Sequence, residues 1–528
     1  MRIKTSGTWA IAGVFSVAVP LVFFLFFFVY PVFSLLSFSF LGDEGHGWSI
    51  FERARTLKVI RQSFFIAIAG TAFSLLFAMP SAYILYCLRF PGRNFIRALS
   101  SVPFVLPSVV VGIAFRALLD EGGVLGFLGL GQSTTAVVMA IVFFNFSVGI
   151  RTIGPLWARV NIRQKEAAYA VGAGPLRTFI LITMPLLMPA ILSAASLIFI
   201  FSFSAFGVVQ TLGRPAYGTV ETEIWIQVMT FSDFSAAGAL ACFQLIVSAL
   251  AVVLSSYFSR KTTVNLSLRI DQVQKVTKRN IFLVISVVIA IFLLIFLPIF
   301  ALVMRSFDYK GHVSIYYYEA LFDSARNVSS IIPSNALVNS LSTALYASII
   351  ALVVAVPISL VMVRVSAVMR IFDSLLMLPL GVSSVVLGFG FYMTFALDMW
   401  GESGVLIPIV QAVTALPLCV RSLVTGMRNV HKRLREAAFA VGAGPWRVLM
   451  KVDGPYLMRS AITAFSFAFA VSLGEFGATN FLSNAYSPTL PVLISRLLSR
   501  PGVDNYGMAM ASACILVLVT SCAMLVGE

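Results

Sequence analysis

A ten-residue run, Glu166-Ala-Ala-Tyr-Ala-Val-Gly-Ala-Gly-Pro175, returns as Glu436-Ala-Ala-Phe-Ala-Val-Gly-Ala-Gly-Pro445 with one change, Tyr169 to Phe439. In each copy a carboxylate and two small side chains (Glu166, Ala167 and Ala168; Glu436, Ala437 and Ala438) lead to Gly172 or Gly442. Glycine takes positive φ freely, and the closing proline suits the first position of a following helix. These types build a rigid, closely packing turn, suited to contact rather than to bond-making. Glu475, in Ser472-Leu-Gly-Glu-Phe-Gly-Ala-Thr479, is the acidic residue set well inside an apolar run. A carboxylate there is costly and is a functional candidate by default. It could meet a cationic substrate or hydrogen-bond unwound backbone near Gly474 and Gly477.

Other reactive types do not assemble. His46, His312 and His431 stand apart, and Cys87, Cys242, Cys419, Cys514 and Cys522 are scattered singly as small packing residues, so no metal site is expected. No Gly-x-x-x-x-Gly-Lys-Ser/Thr occurs, nor any Gly-Lys dipeptide, and the glycine-rich stretch 122–131 holds no lysine. The chain therefore lacks a phosphate-cradling loop.

The elements that carry these residues must lie in a membrane. Hydrophobic residues make up 59% of the chain and charged residues 11%, less than half of the roughly 25% that covers a soluble surface. The net charge of +16 does not point to nucleic acid, because the basic residues sit in short segments between apolar runs. The first apolar run, about residues 8–40, is too long for a signal peptide and is expected to be a retained span.

Apolar runs predict twelve spans: 10–33, 63–88, 97–118, 135–152, 187–211, 236–258, then 281–304, 338–363, 371–396, 405–426, 460–482 and 506–527. With both termini inside, the loops bearing Arg89, Arg93 and Arg97, then Arg159, Arg163, Lys165 and Arg177, then Arg428, Lys432, Arg433, Arg435, Arg447 and Lys451 are cytoplasmic. Loop 119–134 carries Asp120 and Glu121 and falls outside. Arg53, Arg55, Lys58 and Arg61 dissent, since they too fall outside. A basic linker, 259–280, separates a first unit, 1–258, from a second, 281–528.

Self-comparison explains the division. The ten-residue runs lie 270 positions apart, and at that spacing Arg151 pairs with Arg421, Pro185 with Pro455, Phe206-Gly207 with Phe476-Gly477 and Thr219 with Thr489. Upstream the spacing grows slightly, pairing Pro103 and Gly112 with Pro379 and Gly388, and Ser63 and Pro80 with Ser340 and Pro357. Each copy starts on the same side, so the expected fold is all-α and polytopic, about twelve transmembrane helices in two parallel six-helix repeats. Each repeated run falls in the cytoplasmic loop between a fourth and a fifth span. There it forms one short helix, a sharp turn and a second amphipathic segment, with Glu166 or Glu436 expected in the first turn, near the positive end of the helix dipole.

The run resembles the EAA loop of ABC importer permeases: EAA, three residues, Gly, and a later proline. Both copies fit, Glu166 with Gly172 and Glu436 with Gly442. The resemblance implies the type I importer transmembrane fold, with each loop acting as a coupling helix seated on one of two ATPase subunits. ATP binding would close those subunits and rock the halves between inward-open and outward-open states. It further implies no enzyme activity and no cofactor in this chain, ATP and magnesium on the partner subunits, an external or periplasmic binding protein, and a place in the bacterial inner membrane.

Two fused six-span units look like permeases of the iron(III) and thiamine type. Ser472–Thr479 resembles the fifth-span segment of that group and of the usually unfused sulfate and molybdate permeases. Val142-Phe-Phe-Asn145 and residues 212–223 look closer to the thiamine side, departing from that pattern at Arg214, where glycine is expected. Glu475, Phe206 and Phe476 are the substrate-path candidates, and the counterpart of Glu475 in the first repeat is Ala205. The alternative is an ion-coupled secondary transporter, since such carriers also place ionisable residues along their path. No His/Asp/Glu constellation suggests catalysis.

Overall fold

Lipid offers the backbone no hydrogen-bond partners, so apolar runs of this length must satisfy themselves as helices. The computed structural model describes residues 17–41, 43–160, 162–213, 218–262, 274–322, 333–364, 378–396, 404–484 and 487–527. Among these, ten helices are long and apolar enough to cross a membrane, or up to eleven if a bent pair forms one span.

The bent pair corrects the straight span expected over 97–118. Arg93–Val105 and Ser108–Leu119 meet at 103°. Leu106 is extended, as the residue before a proline prefers to be, and Pro107 opens the second helix. The expected fifth spans, 187–211 and 460–482, also need correction. Each is a long helix that starts in the preceding loop, Pro175–Phe203 or Trp446–Gly474. Each then breaks and resumes as a short helix, Phe206–Leu212 or Gly477–Leu482. The first helix is described over Val17–Phe40, so residues 10–16 of the first expected span lie outside the described residues. So do 371–377 of the ninth, of which Ser384–Ala396 is described as a shorter apolar helix. Residues 263–273 of the linker and 214–217, with Arg214, also lie outside them.

The chain divides into two compact units that draw on both repeats. One comprises Ser49–Glu223 and Phe243–Ser314. Here Ala78 and Leu85 of the Ala54–Cys87 helix pack with Phe146 and Ile150 of Thr134–Trp157 and with Ile291 and Ile295 of Asn280–Phe307. The other comprises Met1–Trp48, Ile224–Cys242 and Ile315–Glu528. Its centre is a seam of small residues, Ala347, Ala351, Ala355, Ala412, Ala415, Ala464 and Ala468, which lets three helices approach closely. Phe24 and Phe28 of the first span pack there against Leu387, Phe391 and Val410. Compactness thus groups the first helix of each repeat with the later helices of the other.

Two short ladders complete the described backbone. Leu88–Arg89 pairs in parallel with Gln274–Lys275, and Asp308–Tyr309 forms a hairpin with His312–Val313. Lys310 and Gly311 at its tip both have positive φ, 52° and 82°, as the tight two-residue hairpin turn requires.

Candidate functional site

The repeated runs fold alike. Glu166, Ala167 and Ala168 lie on Ile162–Ala170, and Glu436, Ala437 and Ala438 on Lys432–Ala440. Each helix ends in a glycine-closed cap. Gly172 donates to the Tyr169 carbonyl at 3.0 Å and Ala173 to that of Ala168 at 3.0 Å. Gly442 and Ala443 donate to Phe439 and Ala438 at the same two distances. This crossed pair of bonds is the Schellman arrangement, which places its glycine in the left-handed region. Gly172 has φ +81° and Gly442 φ +79°. A short helix follows each turn, Pro175–Thr178 or Pro445–Val448.

The surface of the two loops matches as closely as their backbone. Val171 and Val441 at the tips are each 84% exposed, Leu176 and Trp446 are 71% and 63% exposed, and Glu166 and Glu436 are exposed. Apolar side chains exposed together on a loop suit a contact surface. Among the described residues, and apart from its chain neighbours, no heavy atom lies within 4 Å of where a Cβ on Gly172 or Gly442 would stand. Within the chain itself, backbone conformation therefore accounts for the glycine.

One expectation is corrected here. Glu166 and Glu436 are the fifth residues of their helices, and neither first turn contains an acid. The dipole cannot be the reason for these carboxylates, because its effect fades beyond the terminal turn. The second loop carries a brace of its own. Arg435 Nε donates to Asp453 Oδ1 at 2.7 Å, and the aspartate is 1% exposed. At the matching positions the first loop has Lys165 and Thr183.

The broken helices are the second paired feature. Phe206 and Phe476 stand at the restarts and are buried. A Cβ on Gly207 would fall on the Ser108 hydroxyl, and one on Gly477 on that of Ser384. Each restarted helix thus lies against the start of a third-span segment at a distance that only glycine permits. Glu475 occupies the second break, 8% exposed. One of its oxygens accepts from the Ala478 N–H and the other from the Thr479 N–H, both at 2.9 Å. Of the two roles raised from sequence, this geometry performs the hydrogen-bonding one: the carboxylate caps the Gly477–Leu482 helix.

The first break has Ala205 in place of that carboxylate and is served from elsewhere. Gln244 Nε2 donates to Ser204 Oγ at 3.1 Å and to Glu221 Oε1 at 3.1 Å. Asn145 donates to Ser202 at 3.0 Å just upstream. Glu221 is 1% exposed, as is Glu223, which pairs with Arg55 at 3.0 Å. Sequence reasoning did not place these two glutamates in the interior. The signal was present: two acids at the start of the otherwise apolar Val220–Met229 helix, and an arginine on the wrong side of the charge bias.

Matched residues also repeat their work. Ser63 Oγ accepts from the Val220 N–H at 2.9 Å, and Ser340 Oγ from the Leu490 N–H at 2.6 Å. The Thr219 and Thr489 carbonyls accept from Glu223 and Leu493, each at 2.9 Å. Among the described residues, no group of three or more His, Cys, Asp or Glu could hold a metal.

Comparison with known proteins bears on both repeats. The family model for the binding-protein-dependent transport system inner membrane component matches residues 70–264 and 347–527. A thiamine transport system permease protein of Brucella abortus is 26% identical over 475 residues, covering 86% of this chain and 84% of that protein. One from Haemophilus influenzae is 23% identical and covers 92% and 91%. A sulfate transport system permease protein of Salmonella typhimurium is 29% identical but covers 40% of this chain and 82% of its own length.

Proposed function

From a chain that belongs to the family of binding-protein-dependent transport system inner membrane components, we propose a permease that imports thiamine, or a closely similar small organic cation, delivered by an external binding protein. The observation that carries the substrate is coverage. The thiamine permeases align through both repeats, over 86% of this chain, whereas the sulfate permease aligns over 40%.

In this reading the two loops face the cytoplasm, as do both termini, and each loop seats in one of two ATPase subunits that hold ATP and magnesium. Glu166, Ala167 and Gly172 form one contact, backed by the buried Ala168, and Glu436, Ala437, Ala438 and Gly442 form the other. The exposed valines enter the partner clefts, while the alanines let the backbones approach. Closure of the ATPases on ATP drives the loops, and the long fifth-span helices that begin in those loops carry the motion to the breaks. Phe206 and Phe476 stand where that motion arrives, beside the path. Glu475 holds the second break in shape, and the Glu221–Gln244–Ser204 chain holds the first. Iron(III), the other substrate of the fused type, is the competing cargo.

Purification of the native chain with its neighbours tests this directly. The expected result is two ATPase copies per chain and a binding protein whose bound ligand is thiamine. A complex without an ATPase, or a binding protein loaded with iron(III), overturns the proposal.

A further inference from the structure

Arg53, Arg55, Lys58 and Arg61 crowd the start of the Ala54–Cys87 helix, on the side that the orientation proposed above makes external. Arg55 is engaged by Glu223 at 3.0 Å. Lys58 and Arg61 are exposed, and neither is in an ion pair with a described carboxylate. Below them the same helix shows an exposed apolar stripe: Phe65 57%, Ile68 59% and Leu76 64%. Arg61 lies in that stripe, one turn before Phe65, at the spacing that puts residues on one helix face. From Phe65 to the helix end at Cys87 the rise is about 33 Å, close to the roughly 30 Å of bilayer hydrocarbon. Arg61 and Lys58 therefore fall at headgroup depth, on the face that meets lipid.

We infer that Lys58 and Arg61 hold the phosphate of an anionic phospholipid in the outer leaflet, whose acyl chains lie along Phe65, Ile68 and Leu76. The stripe decides between occupants. A soluble partner would need these charges aimed away from the membrane, whereas here they cap a surface that only acyl chains can cover. The second repeat supplies an internal contrast. Counting from the paired serines Ser63 and Ser340, the positions matching Lys58 and Arg61 are Asn335 and Val338, and Val338 is 61% exposed. One such lipid is therefore expected per chain.

The test is native mass spectrometry of the purified full chain in detergent, titrated with phosphatidylglycerol or phosphatidylcholine. The inference expects one phosphatidylglycerol retained by the unsubstituted chain. In Lys58→Ala/Arg61→Ala its affinity falls about thirtyfold, given the attraction of each basic residue to an anionic surface. The charge-keeping Lys58→Arg/Arg61→Lys retains it, and phosphatidylcholine binds all three alike. Equal phosphatidylglycerol retention by the double alanine variant overturns the site. So does the same variant losing capture of the cognate binding protein while keeping its lipid, which would make the patch a protein-docking surface. Because retention needs neither ATPase nor substrate, it stands or falls apart from the importer reading. Sidedness is checked by reacting Glu52→Cys with an impermeant maleimide in intact spheroplasts, with the unsubstituted chain as blank. Labelling is expected, and labelling only after permeabilisation overturns the outer-leaflet assignment.

Discussion

Replacing Gly172 and Gly442 separates the shape of the repeated loops from their bulk. Both residues sit at positive φ, +81° and +79°, and a Cβ at either would meet no described residue within 4 Å beyond its chain neighbours. The cost of a side chain is then the left-handed backbone itself, about 1–2 kcal/mol for an ordinary L-residue. That penalty lowers the population of a native turn by roughly 5- to 30-fold against alternatives of similar energy. The loops lie in different compact units, so the two penalties should add. Asparagine tolerates the left-handed region, alanine less so, and a β-branched residue least. Substrate uptake in proteoliposomes should therefore fall in the order Gly, Asn, Ala, Val at both sites together. Insertion into the membrane should be unchanged, because the turns lie outside the spans. Normal transport by the double valine variant would refute the reasoning. Asparagine as damaging as valine would also refute it, since bulk against the ATPase, not backbone conformation, would then be decisive.

Arg435→Ala leaves the buried Asp453 carboxylate without its 2.7 Å partner. It should lower stability by about 1–3 kcal/mol, read as a drop in melting temperature, with Arg435→Lys falling between. Glu475→Gln removes one of the two carboxylate acceptors for the Ala478 and Thr479 N–H groups. It should cost about 1–3 kcal/mol with substrate KM unchanged, whereas a raised KM at full stability would make Glu475 a substrate contact. Ser63→Ala and Ser340→Ala each strip one buried backbone N–H of its acceptor. Both should destabilise by about 1–3 kcal/mol in thermal melts, and a large effect from only one would deny the two serines a common role.

Much of this arrangement was legible in the sequence because duplication made it visible twice. The ten-residue runs, the paired serines and the paired Phe-Gly steps all fold alike, and each recurs because the same backbone problem is solved in both copies. Hydropathy located the crossings but not their interruptions. The bend at Leu106–Pro107 and the break at Ser204–Ala205 lie within runs whose average stays apolar, so a sliding window passes over them, whereas at Glu475–Phe476 the carboxylate and its flanking glycines marked the unwinding. Glu221 and Glu223 escaped for a related reason. They sit in a connecting segment, and burial there follows from tertiary contacts with Gln244 and Arg55 that no local pattern encodes. The grouping of each first helix with the other repeat was equally hidden, since periodicity reports that a helix has an apolar face and not what covers it.

We propose that ATP hydrolysed on partner subunits drives a thiamine-like cation through this chain. The most direct measurement is uptake of labelled thiamine into proteoliposomes holding the chain, its ATPase subunits and the loaded binding protein, with ATP or an ion gradient supplied separately. The account predicts accumulation with ATP alone, abolished by omitting either the ATPase or the binding protein. Accumulation driven by the ion gradient without ATP would contradict it.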